Sequence, residues 1–379
     1  MVPPRGSPIC HRKIVQQLIY TEVVYVYILD YADQRLNTMR ASLKSAVLFF
    51  TMAMLPCAIF AQQSQPQSQQ PESQEPLETL KVNVNVVTVY FNVKGKHGAL
   101  IPNLTKNDFV VTEDGKPQTI KYFAAESNQP LTLGLMIDTS GSQQNVLGME
   151  QDAGAEFLNQ VLTPKDLAFL IGFDINVDLL QDFTSSGRDL RAALRKTRIN
   201  TGGGGGAAGI PGLGQGPVPV SRPKGTLLYD AIYLAAHDKL REQVGRKAMI
   251  ILTDGQDEGS QENLPEAIEA AQKADAMCYV ILIADRGFYS QGGFYGGDSA
   301  MRRLAEETGG RVINVGNKPE KLRAAFDEIS KELRTQYMIG YTPTNQTADG
   351  TYRKVDVRTV DKEYKVQARK GYYAPGPKQ

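Results

Sequence analysis

Between residues 130 and 335, short apolar runs alternate with stretches of helical periodicity. The runs are Leu131–Ile137, Leu167–Phe173, Lys247–Thr253, Met277–Ala284 and Arg311–Val315. The helical stretches are Val146–Val161, Arg188–Lys196, Leu227–Gln243, Glu262–Ala274, Ser299–Glu307 and Lys318–Leu333. Strands that are apolar throughout must be buried on both faces, and helices between them supply the cover. The pattern predicts an α/β fold, a doubly wound and mainly parallel sheet. Val177-Asp178-Leu179-Leu180, shortly after Phe173, reads as a short antiparallel edge strand.

The flanks carry a different period. Residues 78–126 alternate apolar and polar positions. Val82, Val84 and Val86 run in one phase and Val87, Val89, Phe91 and Val93 in the other, a slip that suggests a bulge. Phe109–Glu113 and Lys116–Phe123 flank Asp114-Gly115, the pair a tight hairpin turn prefers. A small β module is expected here. Residues 336–379 return to alternation, with C-terminal strands at Gln336–Tyr341, Tyr352–Val360 and Tyr364–Tyr372. Residues 201–224 contain the glycine run Gly202–Gly206 and no periodicity, and read as a surface loop.

Residues 62–77 are rich in Gln, Ser and Pro, cannot bury apolar surface, and read as a tether. Upstream lies an export signal. Arg40 and Lys44 precede the apolar stretches Val47–Phe50 and Met52–Leu55, and Ala61 places a small residue before a cut ahead of Gln62. Translation is expected to begin at Met39, with residues 1–61 excluded from the fold. The protein is then exported, to the periplasm or the cell exterior, with no membrane span after cleavage. Cys57 follows Pro56, which argues against lipidation. Cleavage leaves Cys278 as the remaining cysteine and no internal disulfide.

A formal net charge of +1 offers no global field for nucleic acid or an anionic membrane. The chemistry concentrates instead at strand ends. The strand Leu131–Ile137 runs into Asp138-Thr139-Ser140-Gly141-Ser142, whose spacing of two lets three side-chain oxygens converge. Ligands of open α/β sheets bind outside the carboxyl ends of the strands. A second strand ends in Thr253-Asp254-Gly255, and Gly225-Thr226 places a hydroxyl at the start of a helix. These groups supply oxygens only, which suits one divalent cation, Mg²⁺ first, with Ca²⁺ or Mn²⁺ as alternatives. So few charges leave the ion electrophilic, and an Asp or Glu of a partner protein can complete its shell.

Asp138-x-Ser140-x-Ser142, Thr226 and Asp254 resemble, in chain order, the metal-ion-dependent adhesion site (MIDAS) of von Willebrand factor type A (VWA) domains. The resemblance covers residues 130–335. It implies that Ser140, Ser142 and Thr226 contact the metal directly and that Asp138 and Asp254 act directly or through water. The flanking segments Glu113–Pro117, Leu304–Gly310, Tyr337–Pro343 and Arg369–Tyr373 are similar to a bacterial VWFA-related group of the acidobacterial type. An exported, metal-dependent, adhesion-type binding module is therefore expected. The alternative is an envelope scaffold in which the metal only orders the loops.

Catalysis is not expected. His97 lies in a turn and His237 on a helix, neither beside a nucleophile, and Cys278 opens an apolar strand. Lys224-Gly225-Thr226 reverses the order a phosphate loop requires, which argues against a nucleotide. Asp257 could be a sixth ligand but reads rather as a cap for the next helix or a solvated residue, and Asp230 reads as a brace for the Thr226 loop. Tyr289, Phe294 and Tyr295 in the Gly287–Gly297 loop are equally a partner surface or local packing.

Overall fold

The computed structural model describes residues 86–125, 129–200, 225–283 and 297–376. The segments read as an export signal and a tether, Val82, Val84, the glycine-rich stretch 201–224 and the aromatics Tyr289, Phe294 and Tyr295 lie outside the described residues.

The central sheet contains β5 (Leu131–Asp138), β6 (Leu167–Phe173), β7 (Val177–Thr184), β8 (Arg246–Thr253), β9 (Ala276–Leu282) and β10 (Val312–Asn314). Their order is β10-β9-β8-β5-β6-β7. Every pair is parallel except β6 with β7, the antiparallel edge expected at Val177. Every residue of β5 is buried. Leu133, Leu135 and Ile137 point to one face, where they join α1 (Leu147–Val161), α2 (Gly187–Lys196) and α6 (Pro319–Arg334). Met136, Met249 and Ile251 join the opposite core, under α3 (Leu228–Leu234), α4 (Leu264–Lys273) and α5 (Gly297–Thr308). The doubly wound architecture follows from this alternation, because each strand has an apolar side chain to offer both layers.

Local signals set the helix ends. Asn263 accepts from the Glu266 amide at 3.2 Å while Glu266 accepts from the Asn263 amide at 2.8 Å, a reciprocal cap that starts α4. The helical stretch expected over Leu227–Gln243 is α3 followed by a π-helical segment, Ala235–Leu240.

The two β-rich flanks build one sandwich. Its first sheet has the order β13-β1-β11-β4 and its second β14-β12-β2-β3. Here β1 is Val87–Lys94, β2 Phe109–Glu113, β3 Lys116–Gln118 and β4 Ile120–Ala124; β11 is Tyr337–Tyr341, β12 Tyr352–Thr359, β13 Lys365–Ala368 and β14 Gly371–Tyr373. Strand β1 lies between β11 and β13, and β2 pairs with both β3 and β12, so the flanks interleave around one core. Phe91 meets Phe109 edge-on at 5.1 Å and stacks on Tyr337 at 5.6 Å. Asp114 and Gly115 have φ of 48° and 78°, the left-handed pair of the expected hairpin turn. The arm read as Lys116–Phe123 divides at Thr119, where the chain passes from one sheet to the other. The Tyr364–Tyr372 strand divides in the same way at Arg369-Lys370.

Glu332 ties the sandwich to the α/β layers. Its carboxylate accepts from Lys94 at 2.8 Å, Arg311 at 2.7 Å and Gln367 at 3.2 Å, and its carbonyl accepts from Asn92 at 2.8 Å. Arg246 donates to the Leu333 carbonyl beside it.

Candidate metal centre

The carboxyl ends of β5 and β8 are neighbours in the sheet, so their loops open at the same edge. Asp138 closes β5. Its Oδ1 accepts from the Ser140 amide at 3.0 Å and its Oδ2 from the Thr253 hydroxyl at 2.8 Å. The Thr253 oxygen in turn accepts from the Gly255 amide at 3.0 Å. Ser140 is extended and leads into a 3₁₀ turn, Gly141–Gln143, which brings its Oγ within 3.0 Å of the Ser142 Oγ. Ser142 donates to Asp254 Oδ2 at 2.7 Å, so Ser140 is the donor between the two serines. Asp254 Oδ1 accepts from the Gln256 amide at 3.0 Å. Asp138, Ser140, Ser142 and Asp254 thus form one neighbourhood, with Thr253 joining the two carboxylate loops.

Gly255 makes the second loop possible. Its φ of +83° is a left-handed conformation, and a Cβ there would come within 3.2 Å of the Gly297 backbone.

Thr226 is buried and joins by its backbone. Its amide donates to the Glu258 carbonyl at 3.0 Å, and the Glu258 amide donates back at 2.9 Å. The next amide, Leu227, donates to the Asp174 carbonyl at 2.7 Å. Asp174 Oδ2 accepts the hydroxyl of Thr139 at 2.6 Å. Thr139 lies between Asp138 and Ser140, so Asp174 couples the Thr226 segment to the first loop. Its Oδ1 also accepts from Asn200 at 3.1 Å and from the Asn176 amide at 3.1 Å.

Sequence reasoning did not single out Asp174. The available signal was its position: Phe173-Asp174 ends an apolar strand just as Ile137-Asp138 and Thr253-Asp254 do. Two other acids differ from expectation: Asp257 serves the helix before it, while Asn263 caps the next one, and Asp230 braces the 261–262 segment and not the Thr226 loop. Asp257 accepts from the Tyr229 amide at 3.1 Å and the Ser260 hydroxyl at 2.6 Å, near the start of α3. Asp230 holds the amides of Gln261 and Glu262, at 2.9 and 2.8 Å.

The electrostatics are one-sided. Burial, then the neighbouring charge of Asp254, raises the Asp138 carboxyl to about 7. Glu150, on the first turn of α1, was also not singled out. Burial and then the charges of Asp138 and Asp254 push its carboxyl well above the usual range. Among the described residues no cationic side chain offsets either shift. A cation set among the loop oxygens would supply the missing positive charge. Among the described residues no three His, Cys, Asp or Glu side chains converge. A site of this composition must draw on hydroxyls, and Ser140, Ser142 and Thr226 offer them. This all-oxygen set fits a hard divalent ion.

The remaining reactive groups lie elsewhere. The Cys278 thiol is buried, and burial pushes it up to about 12. His237 stacks on Tyr233 with ring centroids 5.4 Å apart and lies 2.7 Å from Asp238 on the surface of the π-helical segment. Among the described residues no helix is long and apolar enough to cross a membrane.

No family model matches the sequence, and no curated protein matches it. Among solved structures the chain is similar to the conserved hypothetical protein BatB from Bacteroides thetaiotaomicron. That alignment has 18% identity and a TM-score of 0.40, over 54% of this chain and 100% of the other. A second similar structure is the vWF domain of the type V pili tip protein Mfa5 from Porphyromonas gingivalis, at 14% identity and a TM-score of 0.40, over 54% of this chain and 95% of the other. A third is proximal thread matrix protein 1 from the mussel byssus with a zinc-occupied MIDAS motif, at 15% identity and a TM-score of 0.42, over 58% of this chain and 49% of the other. Such distant similarities carry no assignment of family or role. The parallel sheet with one antiparallel edge and helices on both faces make Leu131–Arg334 a doubly wound α/β domain, with the Asp138 and Asp254 loops at its carboxyl edge.

Proposed function

We propose that this protein is an exported binding module that holds one divalent cation, Mg²⁺ foremost, and uses it to capture an Asp or Glu side chain of a partner protein. The observation that carries this reading is the Asp138–Ser140–Ser142–Asp254 set. It gathers hydroxyl and carboxylate oxygens at the carboxyl edge of the sheet, with no cationic side chain among the described residues to balance them. Asp138, Ser140, Ser142, Thr226 and Asp254 would hold the ion. When bound, the ion supplies a Lewis-acidic position that an anionic oxygen can fill. The chain's own residues orient the loops: Thr253 fixes Asp138, and Asp174 fixes Thr139.

The reading is non-enzymatic. Cys278 is buried and protonated at neutral pH, and His237 lies on the surface of the π-helical segment beside Asp238. The Gln62–Gln379 chain should bind Mg²⁺ or Mn²⁺ at one site in a calorimetric titration, and Asp138→Ala should lose that binding while remaining folded. A cation-dependent partner recovered with the native chain, and lost with Asp138→Ala or chelation, would support carboxylate capture. If chelation lowers thermal stability and no partner depends on the ion, the scaffold reading replaces it.

A further inference from the structure

Helix α1 buries one stripe against the sheet: Leu147, Glu150, Gly154, Phe157, Leu158 and Val161 lie along it. Glu150 is the charged member of that stripe and is 0% exposed. Among the described residues neither of its carboxyl oxygens has a hydrogen-bond partner. Such a group costs free energy that a leucine would not, so an ordinary core position does not explain it. The charged groups acting on it are Asp138 and Asp254, both from the candidate metal centre and both repulsive to its ionised form. Gln143 lies at the other end of the segment joining Ser142 to α1. It is 1% exposed, and its Oε1 also lacks a partner. Its amide nitrogen reaches the Ile283 carbonyl, at 3.5 Å. The buried polar atoms left over behind the loops are therefore acceptors, which is the deficit a cation and its bound water would satisfy.

We propose that Glu150 is a positioning residue of the cation site, an inner carboxylate that balances the charge of a bound divalent ion and orders the Asp138 and Asp254 loops around it. The inference rests on the cation-binding reading above. It assigns to Glu150 no direct contact with a partner. Its role is exerted through the loops, and it sets how tightly a doubly charged ion is held. Groups that support a metal site from outside its ligand set commonly alter metal affinity by roughly 10–100-fold.

The test is calorimetric titration of the Gln62–Gln379 chain with Mn²⁺, comparing wild type with Glu150→Gln, Glu150→Asp, Glu150→Leu and Asp138→Ala. Melting temperatures are measured without metal on the same samples. Glu150→Gln should weaken Mn²⁺ binding by roughly 10-fold or more, while its metal-free melting temperature holds or rises. Glu150→Asp, which keeps the charge, should recover part of the affinity. Glu150→Leu suits the apolar stripe and gives a second neutral variant should the amide fail to fold. Wild-type affinity in a folded neutral variant would overturn the role of Glu150 and leave the cation site standing. A wild type that binds no Mn²⁺ would overturn both readings.

Discussion

The hydroxyl of Ser142 donates to Asp254 Oδ2 at 2.7 Å, joining loops 112 positions apart in the chain. The bond lies in the mouth of the candidate centre, where both oxygens would be needed by a cation. The bond holds the two loops together and keeps their oxygens side by side. A cation bound there would exchange this bond for ligation. Ser142→Ala should cost the metal-free fold only about 1 kcal/mol, the net value of one such bond. It should weaken Mg²⁺ binding far more, because a ligand is lost. Thermal melts and titrations on the same variant separate the two effects. Equal affinity in the variant would remove Ser142 from the ligand set.

The raised carboxyl of Asp138 makes the metal-free protein sensitive to pH. Its value moves from 3.8 to about 7 on folding. Between these values the native state binds more protons than the unfolded state, so stability falls as pH rises. The favourable contribution is full below the unfolded value, is lost progressively up to about 7, and changes little above. Glu150 is shifted in the same direction and extends the trend upward. Melting temperatures in chelator should fall from pH 5 to pH 8, and Mg²⁺ should restore them at the upper end. Asp138→Asn should flatten the metal-free profile. A metal-free melting temperature that rises with pH would contradict the assignment.

Asp174 gives a separate handle on loop order. Its carboxylate accepts from Thr139, Asn200 and the Asn176 amide. Asp174→Ala leaves these donors unpaired in a buried setting, at a cost of about 1–3 kcal/mol. The Leu227 amide bonds to the Asp174 backbone carbonyl and should survive. The expected signature is faster amide exchange at Thr139 and Ser140 with weakened cation binding, while Thr226 and Leu227 remain protected. Uniform loss of protection across all three loops would show that the side chain supports the whole edge.

Much of this architecture was legible because burial on both faces writes a distinctive pattern. Strand β6 spans the expected Leu167–Phe173, and β5 exceeds its expected range by Asp138 alone. The antiparallel edge and the Asp114-Gly115 turn were legible for similarly local reasons. Pairing was not. An alternating strand such as Val87–Lys94 declares which side chains point inward, but not that its neighbours are Tyr337–Tyr341 and Lys365–Ala368. The sheet switches at Thr119 and Arg369-Lys370 were not legible either, because two polar residues in a row mark a break without saying that the chain changes sheet. In the centre, the Asp138, Thr226 and Asp254 loops could be read from strand-end carboxylates and hydroxyls. Glu150 could not, since a helical glutamate ordinarily faces water, and only its tertiary position deprives it of partners.

The sandwich and the α/β domain are joined at Glu332. Glu332 belongs to α6, yet its carboxylate receives Lys94 from β1 and Gln367 from β13, together with Arg311. Its side chain is 3% exposed and that of Lys94 is 19% exposed, so water screens the pair poorly. Removing the acid leaves Lys94 without its carboxylate beside a buried gap, while Arg311 keeps Glu328. Glu332→Ala should therefore destabilise the protein by about 3–5 kcal/mol. Only two residues, Thr335 and Gln336, separate α6 from β11, and Arg246 holds the Leu333 carbonyl at that junction. The loss should consequently be felt by both cores, with sandwich and α/β signals melting together at a lower temperature. Spectroscopic probes near Tyr337 and Phe157 would report the two cores separately. Two resolved transitions in the wild type would mean that the Glu332 cluster does not couple them, whereas resolution appearing only in Glu332→Ala would identify it as the clamp.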